Sequence, residues 1–279
     1  MTKVVSILNL KGGVAKTTLT VALADTFAIQ HQSKKILVID LDPQCDTSIM
    51  LVGHDRWETE LQKKQRTLAS YFIPGKKAFD LDECIEHSVS DIKFGNTVVQ
   101  NISLLASDTK LADVQDGLVD SPLKHNALAK LLKNLRNFDL VLIDCPPNFG
   151  FFTRNALFAS ATYIIPAIPD YLSLTLGATR TIRNVNRCKP APPKLAGIVL
   201  TKYQASNPIH KMVLESKNRL NDSLWDVMLH KKEQIFPQAS KFTEAAYYHA
   251  MKRTYSKKYP DKMDVTLKSI AYELWQRFS

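Results

Sequence analysis

Short apolar runs rich in β-branched residues recur along this chain, and segments with a helical spacing of apolar positions lie between them. Such uninterrupted runs are typical of strands that are buried on both faces of a parallel sheet. The predicted strands are Val4–Asn9, Ile36–Leu41, Ile102–Ala106, Phe138–Asp144, Thr162–Ala167 and Leu195–Tyr203, with Leu224–Leu229 as a weaker candidate. Helices are predicted at Thr17–Gln30, Leu172–Cys188 and Asp264–Phe278, and helix with loop at Trp57–Pro74.

This alternation of strands and helices predicts an α/β fold, namely a doubly wound, mostly parallel sheet with helices on both faces. No internal repeat or linker interrupts the pattern, so we expect a single domain over residues 1–279. Hydrophobic residues make up 45% of the chain, which is enough to bury a sizeable core.

The sequence also indicates where in the cell the protein is expected to be found. The amino terminus has no signal-peptide pattern, and no apolar run approaches the ~18 residues of a membrane span, so we expect a cytoplasmic protein. The four cysteines lie far apart and form no CxxC pair. Reduced thiols are therefore expected rather than disulfides or a zinc site.

The net charge of +10 is unevenly distributed. Residues 1–150 contain 17 Lys and Arg against 18 Asp and Glu, whereas residues 151–279 contain 20 against 9. The positive excess therefore lies entirely in the second half. Such asymmetry indicates a polyanionic partner, and the alternative is an ordinary basic surface that maintains solubility.

A glycine-rich segment with two lysines, residues 10–18, stands between the first predicted strand and the first predicted helix. Glycines allow backbone amides to face phosphate groups, and the helix amino terminus adds further donors. Lys16 is placed to reach β- and γ-phosphates, and Thr17 offers a hydroxyl to Mg²⁺. The pattern GxxxxGK[ST] is not met, because Leu10 and Ala15 replace its glycines. The nucleotide-binding residues predicted here are Lys11, Gly12, Gly13, Val14, Ala15, Lys16, Thr17 and Thr18.

This KGGxxKT loop resembles the deviant phosphate loop of the MinD/ParA class of ATPases, in which Lys11 would be the signature lysine. Further segments resemble ParA-type partition ATPases in the same order along nearly the whole chain. They are the DxDPQ segment at Asp40–Gln44, the DxPPxxG and NAL segments at Asp144–Gly150 and Asn155–Leu157, the strand-to-helix segment Pro166–Gly177, the GxxLT strand at Gly197–Lys202, and the IP and xLxEA stretch at Phe236–Pro237 and Lys241–Ala245.

The resemblance implies a P-loop NTPase fold, ATP and Mg²⁺ as ligands, and roles for particular residues. The expected catalytic residues are Lys11, Lys16 and Asp42, where Asp42 orients the attacking water and Lys11 reaches the partner's phosphates in a face-to-face homodimer. The metal would be held by Thr17, Asp40 and Asp144, and the nucleotide also by Lys202 and Pro237.

Three departures from the family pattern concern catalysis. Ala15 replaces the usual glycine before the loop lysine, and Cys45-Asp46 replaces the usual Gly-Asn after DPQ. The family's Asp-x-Arg-Thr segment reads Gln204-Ala205-Ser206-Asn207. We expect slow hydrolysis without a partner, and Ala15 to slow it further by crowding the loop.

The resemblance also implies a function, which is an ATP-dependent dimer that binds DNA without sequence preference, associates with the nucleoid and positions plasmid, chromosome or other cargo. An activating ParB-like partner or cargo adaptor would stimulate hydrolysis. The basic second half favours DNA, with Lys241 at the position of a DNA-binding arginine of the family. The candidate DNA-binding residues are Arg180, Arg183, Arg187, Lys211, Lys217, Arg219, Lys241, Lys252, Arg253, Lys257 and Lys258.

Two alternatives share the nucleotide fold. A MinD-like relative would bind membrane through a basic amphipathic helix at the carboxyl terminus, but Glu273–Phe278 has few basic residues, so no stable anchor is expected. A metal-chaperone or reductase relative would carry paired cysteines at its dimer interface, and Cys145 and Cys188 do not supply such a pair.

Overall fold

A computed structural model describes residues 2–73, 80–94, 96–117, 125–133, 135, 137–188, 191–204, 206–216, 253–254 and 262–277. Its strands are β1 (Lys3–Ile7), β2 (Ile36–Asp40), β3 (Ile85–Glu86), β4 (Ile92–Phe94), β5 (Thr97–Val98), β6 (Ile102–Leu105), β7 (Leu140–Asp144), β8 (Thr162–Ala167), β9 (Lys194–Leu200) and β10 (Arg253–Thr254). All six main predicted strands are present to within a few residues. The weaker candidate, Leu224–Leu229, lies outside the described residues.

Seven of these strands form one sheet in the order β3-β6-β2-β7-β1-β8-β9. Every pair in it is parallel except β3 with β6. The prediction of a doubly wound, mostly parallel sheet is therefore confirmed. A second sheet, in the order β10-β4-β5, was not predicted, because strands of two or three residues are too short to show a periodic pattern.

The helices in the described ranges are α1 (Lys16–Gln30), α2 (Asp46–Val52), α3 (His54–Arg56), α4 (Ala69–Phe72), α5 (Leu81–Cys84), α6 (Leu111–Gly117), α7 (Ala127–Lys133), α8 (Phe151–Ala159), α9 (Arg180–Asn186), α10 (Pro208–Ser216) and α11 (Lys262–Arg277), with wider π-helical turns at Trp57–Gln62 and Leu172–Thr179. The helix predicted at Leu172–Cys188 thus consists of a π-helical stretch that continues into α9. For Trp57–Pro74, helix and loop are found as predicted up to residue 73.

Alternate side chains of the central strands face two hydrophobic layers. In β7, Val141 and Ile143 pack with one layer, and Leu140 and Leu142 pack with the other. This alternation explains why the strand is apolar at almost every position, since helices cover both faces of a parallel sheet.

The last helix, α11, packs its apolar side on α1 within the second of these layers. Leu267, Ile270 and Leu274 are almost completely buried there. Trp275 contacts the rings of Phe27 and His31. The predicted amphipathic helix is therefore confirmed, and its apolar side is occupied by the protein core.

The register of the sheet aligns the ends of the strands that matter for the site. Asp40 at the end of β2 pairs in register with Asp144 at the end of β7, and Ile7 of β1 pairs with Asp144 on the other side. Because the carboxyl ends of parallel strands share one edge, the loops that follow them meet there. The phosphate loop and both acidic segments consequently lie together.

Candidate nucleotide-binding site

The loop after β1 turns sharply into α1 and is anchored by hydroxyl groups from distant segments. Val14 accepts a hydrogen bond from Thr201 Oγ1 (2.9 Å) through its carbonyl oxygen, and the Leu10 amide donates to Thr181 Oγ1 (3.1 Å). Gly13 has φ +72°, and a Cβ on it would meet no atom within 4 Å. The same open space lies beside Gly12. The loop therefore leaves room along its backbone for a ligand.

Ala15, which directly precedes α1, also adopts a left-handed conformation, with φ 64° and ψ 37°. For a residue with a Cβ this conformation costs roughly 1–2 kcal/mol relative to a right-handed one. The family's usual glycine at this position would avoid that cost. The departure identified in the sequence is thus a point of backbone strain.

A cavity of about 330 Å³ opens above this loop. Its walls come from the phosphate loop, the loop after β2, and the loops after β7 and β9. The lining residues are Gly12, Gly13, Val14, Ala15, Lys16, Thr17, Thr18, Asp42, Gln44, Asp46, Pro147 and Lys202. Lys202 was predicted to bind nucleotide, and the structure brings it to the cavity. Pro237 lies outside the described residues.

A larger cavity, of about 870 Å³, lies near the amino ends of the strands, where Lys35, Asn101 and Phe138 are among its lining residues. It contains neither the glycine loop nor the strand-end acids. We therefore place the nucleotide at the smaller cavity, since the ligands of open α/β sheets bind beyond the carboxyl ends of the strands.

Two charged residues at the site are buried: Lys16, which lines the cavity, and Asp144, which contacts the lining residue Thr17. Lys16 is 8% exposed, and burial lowers the pKa of its amine, although Asp144 and Asp42 oppose that shift. Asp144 is fully buried and accepts hydrogen bonds from Thr17 Oγ1 (2.8 Å) and Thr47 Oγ1 (2.6 Å). Burial raises the pKa of Asp144 to about 6, against the lowering effect of both threonines and Lys16.

The donor set around Asp144 fits a hard cation. A threonine hydroxyl and a carboxylate stand side by side next to a loop that is open to phosphate groups. Mg²⁺ prefers oxygen ligands and is commonly held by one or two protein groups together with phosphate oxygens. Thr17 and Asp144 thus fit the metal role expected of them, which stays a prediction.

Asp40 is fully buried and holds the loop after β2. Its Oδ1 accepts from the Asp42 amide (3.1 Å), and its Oδ2 accepts from both the amide and the hydroxyl of Ser48 (2.9 and 2.7 Å). Burial and the neighbouring Asp144 raise the pKa of Asp40 well above its usual value. The observed contacts of Asp40 are with its own loop and α2, and its predicted role in the metal shell stays a prediction.

A hydrogen-bonded ring fixes Asp42 from the other side. Ser48 Oγ accepts from the Ser107 amide (2.9 Å), and Ser107 Oγ donates to the carbonyl oxygen of Asp42 (2.6 Å). Both the amide and the carbonyl of Asp42 are thus restrained, while its half-buried carboxylate lines the cavity. This geometry suits a residue that must orient a small molecule accurately.

Cys45 resembles Ala15 in backbone conformation, with φ 62° and ψ 15°, and it precedes α2 as Ala15 precedes α1. Its side chain is fully buried, and its thiol donates to the carbonyl oxygen of Pro43 (3.3 Å). Burial raises the pKa of this thiol strongly. Ala15 and Cys45, which stand where the family usually has glycine, therefore both adopt a left-handed backbone conformation that is strained for a residue with a side chain.

The Lys11 amine contacts residues that follow β8. Its Nζ donates to Ser173 Oγ (2.9 Å) and lies 3.6 Å from Asp170 Oδ1. Lys11 is not among the described residues that line the cavity of its own chain.

The structure describes four of the predicted DNA-binding side chains. Arg180, Arg183 and Arg187 are exposed on or directly after α9, and Lys211 is exposed on α10. Within the described residues these four form no ion pair with a carboxylate. Arg253 lies in β10, paired with Ile92, and its side chain is not described. The others, outside the described residues, are Lys217, Arg219, Lys241, Lys252, Lys257 and Lys258.

Several residues that shape the site were missed from the sequence. Thr47 contacts Asp144, Ser48 and Ser107 hold the Asp42 loop, and Thr181 and Thr201 hold the phosphate loop. Thr47 could have been suspected, since it follows the DxDPQ segment by only a few positions. Thr201 lies within the GxxLT segment, but that resemblance did not indicate its contact with the phosphate loop. Ser48, Ser107 and Thr181 are single hydroxyl residues in ordinary surroundings and leave no sequence signal.

The glycine loop joins a strand to a helix at the carboxyl edge of a parallel sheet, where a buried lysine and a threonine–aspartate pair lie together. This combination defines a P-loop nucleotide-binding protein. Comparison with known proteins specifies the class. A family model described as an AAA domain, AAA_31, matches residues 2–195, and the chain belongs to this family.

The sporulation initiation inhibitor protein Soj of Bacillus subtilis (strain 168) is 27% identical over 246 residues, which cover 84% of this chain and 87% of Soj. The resemblance to ParA- and Soj-like partition ATPases inferred from the motifs is thereby confirmed.

Two solved structures share the fold. A plasmid partition protein from Borrelia burgdorferi B31, bound to AMPPNP, superposes with a TM-score of 0.73 at 18% identity and covers 99% of both chains. Cobyrinic acid a,c-diamide synthase from Mycobacterium smegmatis, with a bound ATP analogue and magnesium, has a TM-score of 0.70 at 22% identity, covering 99% of this chain and 96% of the synthase. At these identities the likeness concerns the fold.

Proposed function

We propose that this protein is an ATP-dependent dimerising switch ATPase of the ParA type. In its ATP-bound homodimer it binds DNA without sequence preference and is associated with the nucleoid. A ParB-like partner or cargo adaptor stimulates hydrolysis, and the cycle positions plasmid, chromosome or other cargo. Membership of the AAA_31 family and the likeness to Soj support the ATPase part of this proposal.

The residues of the cavity fit ATP with Mg²⁺. Backbone amides of Gly12–Thr18 and the buried Lys16 would hold the phosphates, and Thr17 with Asp144 would hold the metal. When bound, the metal would neutralise charge that develops on the transferred phosphoryl group. Asp42 would position the attacking water, because its carboxylate faces the cavity while its backbone is restrained.

The position of Lys11 is the observation that carries the dimer proposal. Its amine contacts Asp170 and Ser173 instead of lining its own cavity. A lysine that adjoins one site without lining it could serve the phosphates of a second chain placed face to face. Since phosphoryl transfer depends mainly on positioning and charge stabilisation, a cation supplied by the partner couples hydrolysis to association.

Sedimentation with ATP, with ADP and without nucleotide tests this proposal. We expect the dimer mass with ATP only. Lys11→Ala should keep ATP binding but lose both the stable dimer and hydrolysis. The same mass in all three conditions would refute the dimer switch.

The DNA proposal rests on the charge distribution and on the exposed arginines of α9. Arg180, Arg183 and Arg187 are three, four and seven positions apart, so they share one helical face. Dimerisation would double this basic surface and strengthen a weak site by avidity. Contacts with phosphate groups predict affinity that falls steeply with salt and varies little with sequence.

Filter binding on two unrelated duplexes at several salt concentrations tests this surface. Replacing Arg180, Arg183 and Arg187 with Glu should weaken binding while ATP affinity is retained, and a second variant would replace Lys241, Lys252 and Arg253. A matched control replaces Lys63 and Lys64, exposed basic residues of the other half, with Glu. Undiminished DNA binding by both test variants would overturn this assignment.

The membrane alternative has less support. No helix in the described ranges is long and apolar enough to cross a bilayer. The apolar side of α11, the part of a MinD-like anchor that would insert into lipid, is buried against α1. Co-sedimentation with anionic vesicles in the presence of ATP would reveal such binding, and we expect none.

A further inference from the structure

Lys11 is held by a small polar cluster at the start of the π-helical stretch after β8. Ser173 accepts its hydrogen bond, and Asp170 provides the ion pair. Asp170 in turn accepts from the Ser173 amide (2.6 Å) and from the Ser173 hydroxyl (3.2 Å). The three residues therefore form one connected arrangement, which we call the Lys11 latch.

The backbone around the latch is closely docked. Asn9 Oδ1 accepts from the Lys11 amide (2.9 Å), and Asn9 Nδ2 donates to the Pro166 carbonyl oxygen (2.8 Å). A Cβ on Gly177 would come within 2.9 Å of Asn9 Oδ1 and 3.2 Å of Lys11 Cβ. Only glycine lets the helix approach so closely, so the backbone of Lys11 is fixed, and a change of partner would involve only its side chain.

The interactions of the Lys11 latch are weak enough for a competing anion to displace them. The side chains of Lys11 and Asp170 are 33% and 30% exposed, so water screens their attraction. Pairs of this kind contribute only modestly to stability. An incoming phosphate, with more negative charge and a better-shaped acceptor, would compete effectively for the amine.

We propose that Asp170 and Ser173 are positioning residues that hold Lys11 in the unassociated chain and set the threshold for ATP-dependent dimerisation. This inference rests on the proposed role of Lys11 in the partner's site. Because Lys11 must leave the latch before it can reach another chain, the latch stabilises the monomer relative to the dimer. Weakening it should therefore strengthen dimerisation, whereas a substitution that merely destabilised the fold would weaken it.

The test is a pair of variants, Asp170→Asn and Ser173→Ala, in the full-length protein. Asn keeps the cap on the following helix but removes the charge, and Ala removes the hydroxyl that accepts the Lys11 bond. Sedimentation equilibrium with a non-hydrolysable ATP analogue should show a dimer dissociation constant lower by about threefold to tenfold. Ser173→Thr, which keeps a hydroxyl, should behave more like the unaltered chain.

A second readout needs no nucleotide. Acylation of Lys11 by an amine-reactive ester, followed by mass spectrometry, should be faster in both variants, because in each the amine loses one of its two partners. Asp139→Asn is the matched control, since Asp139 forms a partly exposed pair with Lys34 (2.9 Å) elsewhere on the protein. It should change neither the acylation of Lys11 nor dimerisation.

Different results would contradict the proposed latch and the proposed role of Lys11 in dimerisation. An unchanged or weaker dimer in both latch variants, with normal thermal unfolding, would overturn the latch. If Lys11→Ala leaves ATP-dependent association and turnover unaffected, the proposed role of Lys11 itself fails. Should Asp170→Asn fold poorly, Ser173→Ala alone decides the question, because it removes a hydroxyl without adding bulk.

Discussion

The loop after β1, residues 8–15, and the loop after β2, residues 41–45, have similar constructions. Each follows a buried parallel strand, each ends in a left-handed non-glycine residue, and each precedes a helix. Each also has a backbone carbonyl held by a hydroxyl from a distant strand end, Thr201 in one case and Ser107 in the other.

The two loops differ in what they present to the cavity. The first loop presents backbone amides and, at the start of α1, the buried cation of Lys16. The second presents the carboxylate of Asp42 on a restrained backbone. We infer that the first loop binds the nucleotide and that the second orients the attacking water. Substitutions in the first loop should therefore lower ATP affinity, and substitutions in the second should lower turnover.

The largest effect is expected from Lys16→Ala. Lys16 is proposed to bind phosphate, so loss of this buried cation should weaken ATP binding by at least about a hundredfold, since charge-assisted hydrogen bonds are the strong ones. Titration with a fluorescent ATP analogue measures this. Lys63→Ala, an exposed lysine paired with Glu58, is the control. Undiminished affinity in the Lys16 variant would refute the site assignment.

Asp42→Ala should separate binding from hydrolysis. We expect ATP affinity to be retained and turnover to fall by roughly 10²-fold or more, because the attacking water loses its orienting group. Single-turnover assays and sedimentation should find a trapped ATP dimer. Asp46→Asn tests specificity, since Asp46 lines the same cavity. A greater loss of turnover in that variant would contradict the role given to Asp42.

Ser107→Ala should also lower turnover while ATP affinity is retained, but by less than Asp42→Ala does. The Asp42 carbonyl loses its donor, so turnover should fall by about tenfold with little change in ATP affinity. Ser107→Thr should restore part of the rate. Ser103→Ala is a matched control on β6, because Ser103 is also buried but contacts His87 instead (3.0 Å). An equal loss in that control would indicate general damage to the strand.

The two left-handed positions should respond to glycine with opposite signs. Ala15→Gly removes strain and is expected to raise the free energy of unfolding by up to about 1 kcal/mol. Cys45→Gly also relieves strain but loses a fully buried side chain, so a net loss of about 1 kcal/mol is expected. Chemical denaturation measures both.

Turnover of Ala15→Gly adds information about catalysis. A faster rate would support the expectation that the methyl group hinders hydrolysis. An unchanged rate together with higher stability would limit the effect of Ala15 to the backbone.

Much of the site was determined by local sequence. Lys16 and Thr17 follow a strand and a glycine turn, and Asp144 ends an apolar strand, so their expected chemistry came from local context together with the resemblance to ParA-type ATPases. Their proximity followed from the rule that the carboxyl ends of parallel strands share an edge. These features depend on short-range patterns, which a single sequence displays.

Only the tertiary structure decided how these residues are held. Lys11 meets Ser173 across 162 positions, and Ser107 meets Asp42 across 65. A hydroxyl that bonds to so distant a partner leaves no periodic pattern, because the contact depends on the packing of whole elements. The left-handed conformations of Ala15 and Cys45 are likewise imposed by the strand and helix that each loop must join, since neither residue prefers that conformation by itself.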